Sequence, residues 1–301
     1  MTTVVGPRTG TTAPVPAGTP APDRRRAHAV RPWAKPLSYV LLTALSALLL
    51  VPFAWMVSSS LKTNDQVFTV PVQWVPRELH WENFVDIWTR VPMLTYLRNT
   101  TFLATVITVL QLFTGSFAAY GFSKIRFPGR DGLFLAYIAT IAVPWQAYMI
   151  PQYILMQKAG LVNTFTALIL LQAFSAFGVF LMRQYYMSVP DELVEAARID
   201  GLSEFGIYRR IMLPLSVPAL ASLGLLTFVN TWNDFMGPFI YLTSNDLWTV
   251  QLGLRQFVGQ FDAEYAMIMT GSVLSVLPIL VVFLLGQRYF IQGIATSGLK
   301  G

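Results

Sequence analysis

Six apolar runs organise the chain, at residues 37–57, 100–122, 132–154, 165–182, 215–240 and 266–290. Each holds about 18 to 26 residues. At about 1.5 Å of helical rise per residue, most are long enough for a hydrocarbon layer of roughly 30 Å. The pattern predicts an all-α membrane protein of six transmembrane helices, with both chain ends on one side. Between the fourth and fifth runs lies a polar interval of roughly thirty residues, which reads as two short helices with a break between them. Asp191 and Glu192 follow Pro190, where a first helical turn favours negative charge and tolerates proline. Gly201 allows a left-handed reversal, and Ser203 caps the second helix. Arg209 and Arg210 fall in the last turn of that helix, and Pro214 stops it. A compact helical hairpin held at a membrane surface is a docking device.

Composition agrees with the pattern. Charged residues make up 12% of the 301 and hydrophobic ones 54%, against about 25% charged in soluble domains. Mean hydropathy is +0.52. No globular core of this size can bury that much apolar side chain, so lipid solvates part of the surface. With the N-terminus inside, 15 of the 21 Lys and Arg residues fall in cytoplasmic segments. Lys62, Arg77, Arg90, Arg98, Lys158 and Arg255 fall outside. This count, made without reference to the hairpin, puts the hairpin in the cytoplasm. The net charge of +6 follows membrane sidedness and is no footprint for nucleic acid. Residues 1–35 are rich in Thr, Ala, Pro and Gly, then basic, and are expected to be a disordered cytoplasmic tail. The first run is too long for a signal-peptide core and reads as an uncleaved helix. Residues 36–301 are expected to form a single membrane domain.

Chemistry is sparse. Cysteine is absent, which removes disulfides and thiol catalysis. His28 and His80 lie in the tail and in an outer loop, so they make no metal pair on one helix. None of the five lysines follows a glycine, so there is no phosphate loop of the Gly-Lys-Ser/Thr kind, and no cofactor is implied. Polar groups inside apolar runs are costly in lipid and therefore informative. Asn230, Trp232, Asn233 and Asp234 cluster toward the outer end of the fifth run, with Gln146, Gln111 and Gln172 as weaker candidates. Each either lines a substrate pathway or packs helices. Pro144 and Pro151 are expected to kink the third span. Phe205, Tyr208 and Met212 recur at helical spacing as an apolar stripe suited to packing. Outer loop 58–99 carries Trp74, Trp81 and Trp88, residue types of the interfacial belt.

Glu195-Ala196-Ala197, three residues, Gly201, nine residues, Ile211, one residue, Leu213-Pro214: this spacing resembles the motif of type I ABC importer permeases. Tyr120-Gly121-Phe122-Ser123-Lys124 running into Phe127-Pro128-Gly129-Arg130, Ser60-Leu61-Lys62, and the C-terminal Tyr289-Phe290 with Gly298-Leu299-Lys300-Gly301 look similar to maltose-type members. The Trp232-Asn233 pair also recurs in carbohydrate-importer permeases. The resemblance implies a transmembrane core over about 96–290 and a coupling segment at 188–214 that docks on an ATPase subunit. Glu195 is then the charged contact across that joint. It further implies a second homologous permease, two ATPase subunits, an extracytoplasmic sugar-binding protein facing loop 241–265, and a carbohydrate delivered through the cell membrane of a prokaryote. ATP would be hydrolysed by the partners. The other readings are an importer for glycerol phosphate or an amino acid, or an ion-coupled secondary transporter relying on Asp234.

Overall fold

The computed structural model describes residues 34–259 and 262–298. The expected tail, up to residue 33, and the last residues of the C-terminal match, 299–301, lie outside the described residues. Helix α1 (Ala34–Ser60) begins where apolar sequence begins. The chain divides after Val51 into two units. In the first, every described side chain from 36 to 51 is exposed, which suits an apolar helix solvated by lipid.

In the second unit, α2 (Asn83–Arg90) precedes α3 (Met93–Lys124), the longest uninterrupted helix of the bundle centre. α4 (Arg130–Ala139) and α5 (Trp145–Lys158) follow, then α6 (Phe165–Gln172) and α7 (Ala176–Ser188). The polar interval holds α8 (Asp191–Ile199), α9 (Glu204–Ile207), a π turn over Tyr208–Met212 and α10 (Leu213–Leu215). α11 (Val217–Trp232), α12 (Met236–Tyr241), α13 (Val250–Leu254) and α14 (Tyr265–Gly298) complete the order. α3 packs against α7 and α11, and α11 packs against α14. Gly115 and Gly178 let α3 and α7 approach closely: a Cβ on Gly115 would lie 3.5 Å from the Gly178 backbone.

Among the described residues, four helical segments are long and apolar enough to cross a membrane: Pro36–Ser60, Met93–Lys124, Phe165–Ser188 and Tyr265–Gln287. Two bent pairs raise the number to six if each pair is one span. Here the helices depart from the straight runs read in the sequence. The third run is broken outright, with α4 and its terminal turn meeting α5 at 98°. Val143 precedes Pro144 and is extended, at φ −83° and ψ 113°, because the proline ring disfavours helical geometry before it. Pro151, also expected to kink the span, sits inside α5, which continues through it. The fourth run is interrupted at Ala173–Ser175, where Ser175 starts α7 by accepting from Gly178 N at 3.1 Å. The fifth run bends by 78° on entry at Ser216 and ends as a helix at Trp232, short of its predicted limit at 240. Pro214 does not stop the preceding helix by itself; the turn comes at Ser216, two residues later.

Candidate functional site

Two places gather polar side chains, and the hairpin is the first. Asp191 and Glu192 open α8 after Pro190, and Val194 and Ala197 turn inward. At its end Gly201 adopts φ +81°, with Leu202 N donating to Ala197 O at 3.0 Å and Gly201 N to Arg198 O at 3.1 Å. This paired closure satisfies the last carbonyls of α8 and requires a left-handed residue, for which glycine carries no Cβ penalty. Ser203 Oγ then accepts from Gly206 N at 3.2 Å and starts α9.

The hairpin is tied to the end of α3. Lys124, its side chain 3% exposed, donates to Val189 O at 2.7 Å and to Asp191 Oδ1 at 2.5 Å. That hydrogen bond, and then the lysine charge, hold the Asp191 carboxyl below the usual carboxylate range. Arg198 Nε donates to Glu204 Oε1 at 2.7 Å, clamping the two arms together. Its Nη2 reaches Lys124 O at 3.3 Å, and Tyr120 OH donates to Glu204 Oε2 at 2.6 Å. Both arms are therefore tied to α3 and to each other.

Within the motif, Glu195, Ala196, Gly201 and Pro214 are exposed, Ala197 is buried, and Ile211 and Leu213 are half-buried against the core. The stripe read as a packing surface divides. Tyr208 and Met212 are buried in the chain's own core, where the Tyr208 hydroxyl lies 2.8 Å from Ser116 Oγ. Phe205 stays exposed and joins Leu193 and Ile199 as the apolar side chains the hairpin leaves open.

The second place is a cavity of about 350 Å³ where the interruptions of α4–α5, α6–α7 and α11–α12 converge. Gln111 of α3 donates to Gln172 O at 2.7 Å and accepts from Thr227 Oγ1 at 3.0 Å. Thr114 donates to Ala173 O at 2.8 Å. Gln172 Nε2 donates to Asp234 Oδ2 at 3.0 Å, and Asp234 Oδ1 accepts from Gly237 N at 3.1 Å, capping α12. Carbonyls released by the break at residues 172–173 thus find partners on α3, and the amide of Gly237 finds Asp234 nearby, as backbone at membrane depth requires.

Of the sequence candidates, Asp234, Gln172 and Gln111 line this cavity. Asn230, Trp232, Asn233 and Gln146 do not. Trp232 is buried, its indole N–H donating to Ser275 of α14 at 3.1 Å to O and 3.2 Å to Oγ. Asn233 is exposed and donates back to Val229 O at 3.0 Å, closing the end of α11. Asn230 and Gln146 are exposed. Sequence reasoning missed Trp145, Gln152 and Tyr241 on the wall. A signal was present: Trp145 and Gln152 are seven residues apart, two turns along one helix face just after Pro144. Among the described residues, no group of three or more His, Cys, Asp or Glu is placed to hold a metal ion.

Comparison with known proteins places these features. The family model for the binding-protein-dependent transport system inner membrane component matches residues 15–296. The arabinooligosaccharides transport system permease protein AraQ of Halalkalibacterium halodurans is 39% identical over 227 residues, covering 75% of this chain and 81% of that protein. The lactose transport system permease protein LacG of Rhizobium radiobacter is 34% identical over 261 residues, covering 87% and 95%. The fold is similar to a chain in the crystal structure of a bacterial ABC transporter involved in the import of the acidic polysaccharide alginate. That similarity has a TM-score of 0.76 at 24% identity, over 90% of this chain and 100% of the other.

Proposed function

The chain belongs to the family of binding-protein-dependent transport system inner membrane components, and from that premise we propose that it is the permease subunit of an ATP-driven carbohydrate importer. It is a multi-pass protein of the cell membrane. In this reading each bent helix pair counts as one span, giving six, and both termini and the hairpin are cytoplasmic, as the Lys and Arg distribution favours. A second, homologous permease completes the pathway. Two ATPase subunits hydrolyse ATP, and an extracytoplasmic binding protein delivers the solute.

The observation that carries the proposal is the hairpin, closed at Gly201 and bound to α3 through Lys124, Tyr120 and Arg198. A docked ATPase that shifts the hairpin pulls on α3, and α3 contributes Gln111 to the cavity. Leu193, Ile199 and Phe205 supply apolar contact area, and exposed Glu195 supplies the charge across the joint. Ala196, Ala197, Gly201, Ile211, Leu213 and Pro214 shape the fold that presents them. Of the pathway candidates, Asp234 lines the cavity; Trp232 packs α11 on α14 and Asn233 closes the end of α11, while Asn230 and Gln146 are exposed outside it.

Gly201→Pro tests this. Proline cannot adopt φ +81°, so the reversal is lost while the apolar runs are untouched. Membrane insertion is expected to persist, and uptake and binding-protein-stimulated ATPase activity to disappear. Normal transport by this variant would falsify the docking model.

A further inference from the structure

Granted that the chain forms part of an import pathway, the cavity constrains what passes. Its wall combines Trp145 and Tyr241 with the amides of Gln152 and Gln172 and the carboxylate of Asp234. Among the described residues, no Lys or Arg lines it. Gln152 Oε1 is already engaged, accepting from Trp145 Nε1 at 2.9 Å and from Tyr241 OH at 3.4 Å. Its amide nitrogen is thereby left to donate. The Asp234 carboxylate takes protein donors from Gln172 and from the backbone of Gly237 and Met236, and its two oxygens, with about four lone-pair sites, keep capacity for another.

That arrangement fits one ligand chemistry. A neutral polyol ring offers O–H donors to Asp234, oxygen acceptors to Gln152, and C–H faces to the aromatic side chains. An anionic ligand meets the Asp234 carboxylate with no cation on the wall to offset it, a repulsive element that selects against phosphate and uronate groups. The volume, about 350 Å³, lies near the lower end of the roughly 300–1,000 Å³ usual for small-molecule sites. It holds a small sugar or one end of a longer one. The geometry points to a subsite for neutral saccharides, with Asp234 and Gln152 as hydroxyl ligands, Trp145 as an apolar platform, and discrimination against anionic sugars built into the wall.

Equilibrium binding to the assembled transport complex in lipid nanodiscs tests this, with radiolabelled lactose and arabinobiose as neutral probes. Digalacturonate and sn-glycerol 3-phosphate serve as anionic ones. Saturable binding is expected for at least one neutral probe and for neither anion. Trp145→Ala and Gln152→Ala are each expected to weaken neutral binding by about tenfold or more. Asp234→Asn keeps the oxygen that caps α12 but removes the charge, and is expected to admit digalacturonate. The assignment is overturned if no neutral probe binds, if an anion binds the unaltered complex as tightly as the neutral probes, or if both alanine variants bind like the parent. ATP-driven uptake that persists despite such a result leaves the importer reading standing. Saturable sugar binding without ATP-coupled uptake removes the importer reading and leaves the subsite.

Discussion

The hairpin and the cavity are both built from interrupted helices, yet the carbonyls freed by the interruptions are satisfied in opposite ways. At the hairpin the freed backbone groups find partners a few residues away: Leu202 with Ala197, Gly201 with Arg198, Gly206 with Ser203. At the cavity the amides of Gly178 and Gly237 are also capped locally, by Ser175 and Asp234, but the carbonyls of Gln172 and Ala173 are taken by side chains of another helix, Gln111 and Thr114 of α3. The hairpin's shape is therefore locally encoded and only its anchorage depends on the bundle. The cavity's shape exists only while the bundle holds it. A permease that passes movement from a motor to a pathway gains from this division. On the function proposed above, the handle would keep its form as it moves, and the pathway would rearrange when its helices shift.

The comparison breaks first at Gln111. Gln111→Leu removes the donor to Gln172 O and the acceptor of Thr227 together, leaving two polar groups unpaired between helices. A loss of about 1–3 kcal/mol is expected, read as a lower midpoint in denaturant unfolding of the purified protein, with hydrogen exchange rising at residues 172–176 and not in the hairpin. Equal rises in both regions would show that the hairpin is not autonomous.

A smaller effect is expected from Ser203→Ala, which deletes the N-cap of α9 at a cost of about 1 kcal/mol. Faster exchange should be confined to residues 204–207, with the cavity unchanged. Spread of the effect to Gln172 or Asp234 would contradict local encoding.

The smallest effect concerns pH. Asp191's carboxyl is depressed by Lys124, so its tether is present above the ordinary carboxylate value of about 3.9 and is lost as pH falls through the lower folded value. Protection factors within α8, that is exchange corrected for the intrinsic rate at each pH, should be flat from about pH 8 to pH 5 and fall only in stronger acid. In Lys124→Met, which has no such tether to lose, that acid-dependent loss of protection should disappear. An unchanged onset would remove Lys124 as the cause.

How much was legible follows the same line. Pro190, Gly201 and Ser203 act on neighbours within five positions, so a reader of the sequence sees both partners of each bond at once. The sites of interruption were partly visible too: Pro144 was expected to kink the third span, and its ring broke it. The Tyr208 and Met212 stripe was visible as apolar but not as inward-facing, because its partner Ser116 lies on α3. Among the polar candidates near the fifth run, Trp232 turned to Ser275 of α14 and Asp234 to Gln172, although the two are neighbours in sequence.

Alone, the sequence determined the apolar runs, the polar hairpin, its turn and caps, and the charge asymmetry, because each depends on residue type over a short window. Tertiary structure decided which amides and carboxylate share a cavity. Those bonds join residues 59 to 116 positions apart, and whether two such groups meet depends on the angles at which broken helices pack, which no local window contains.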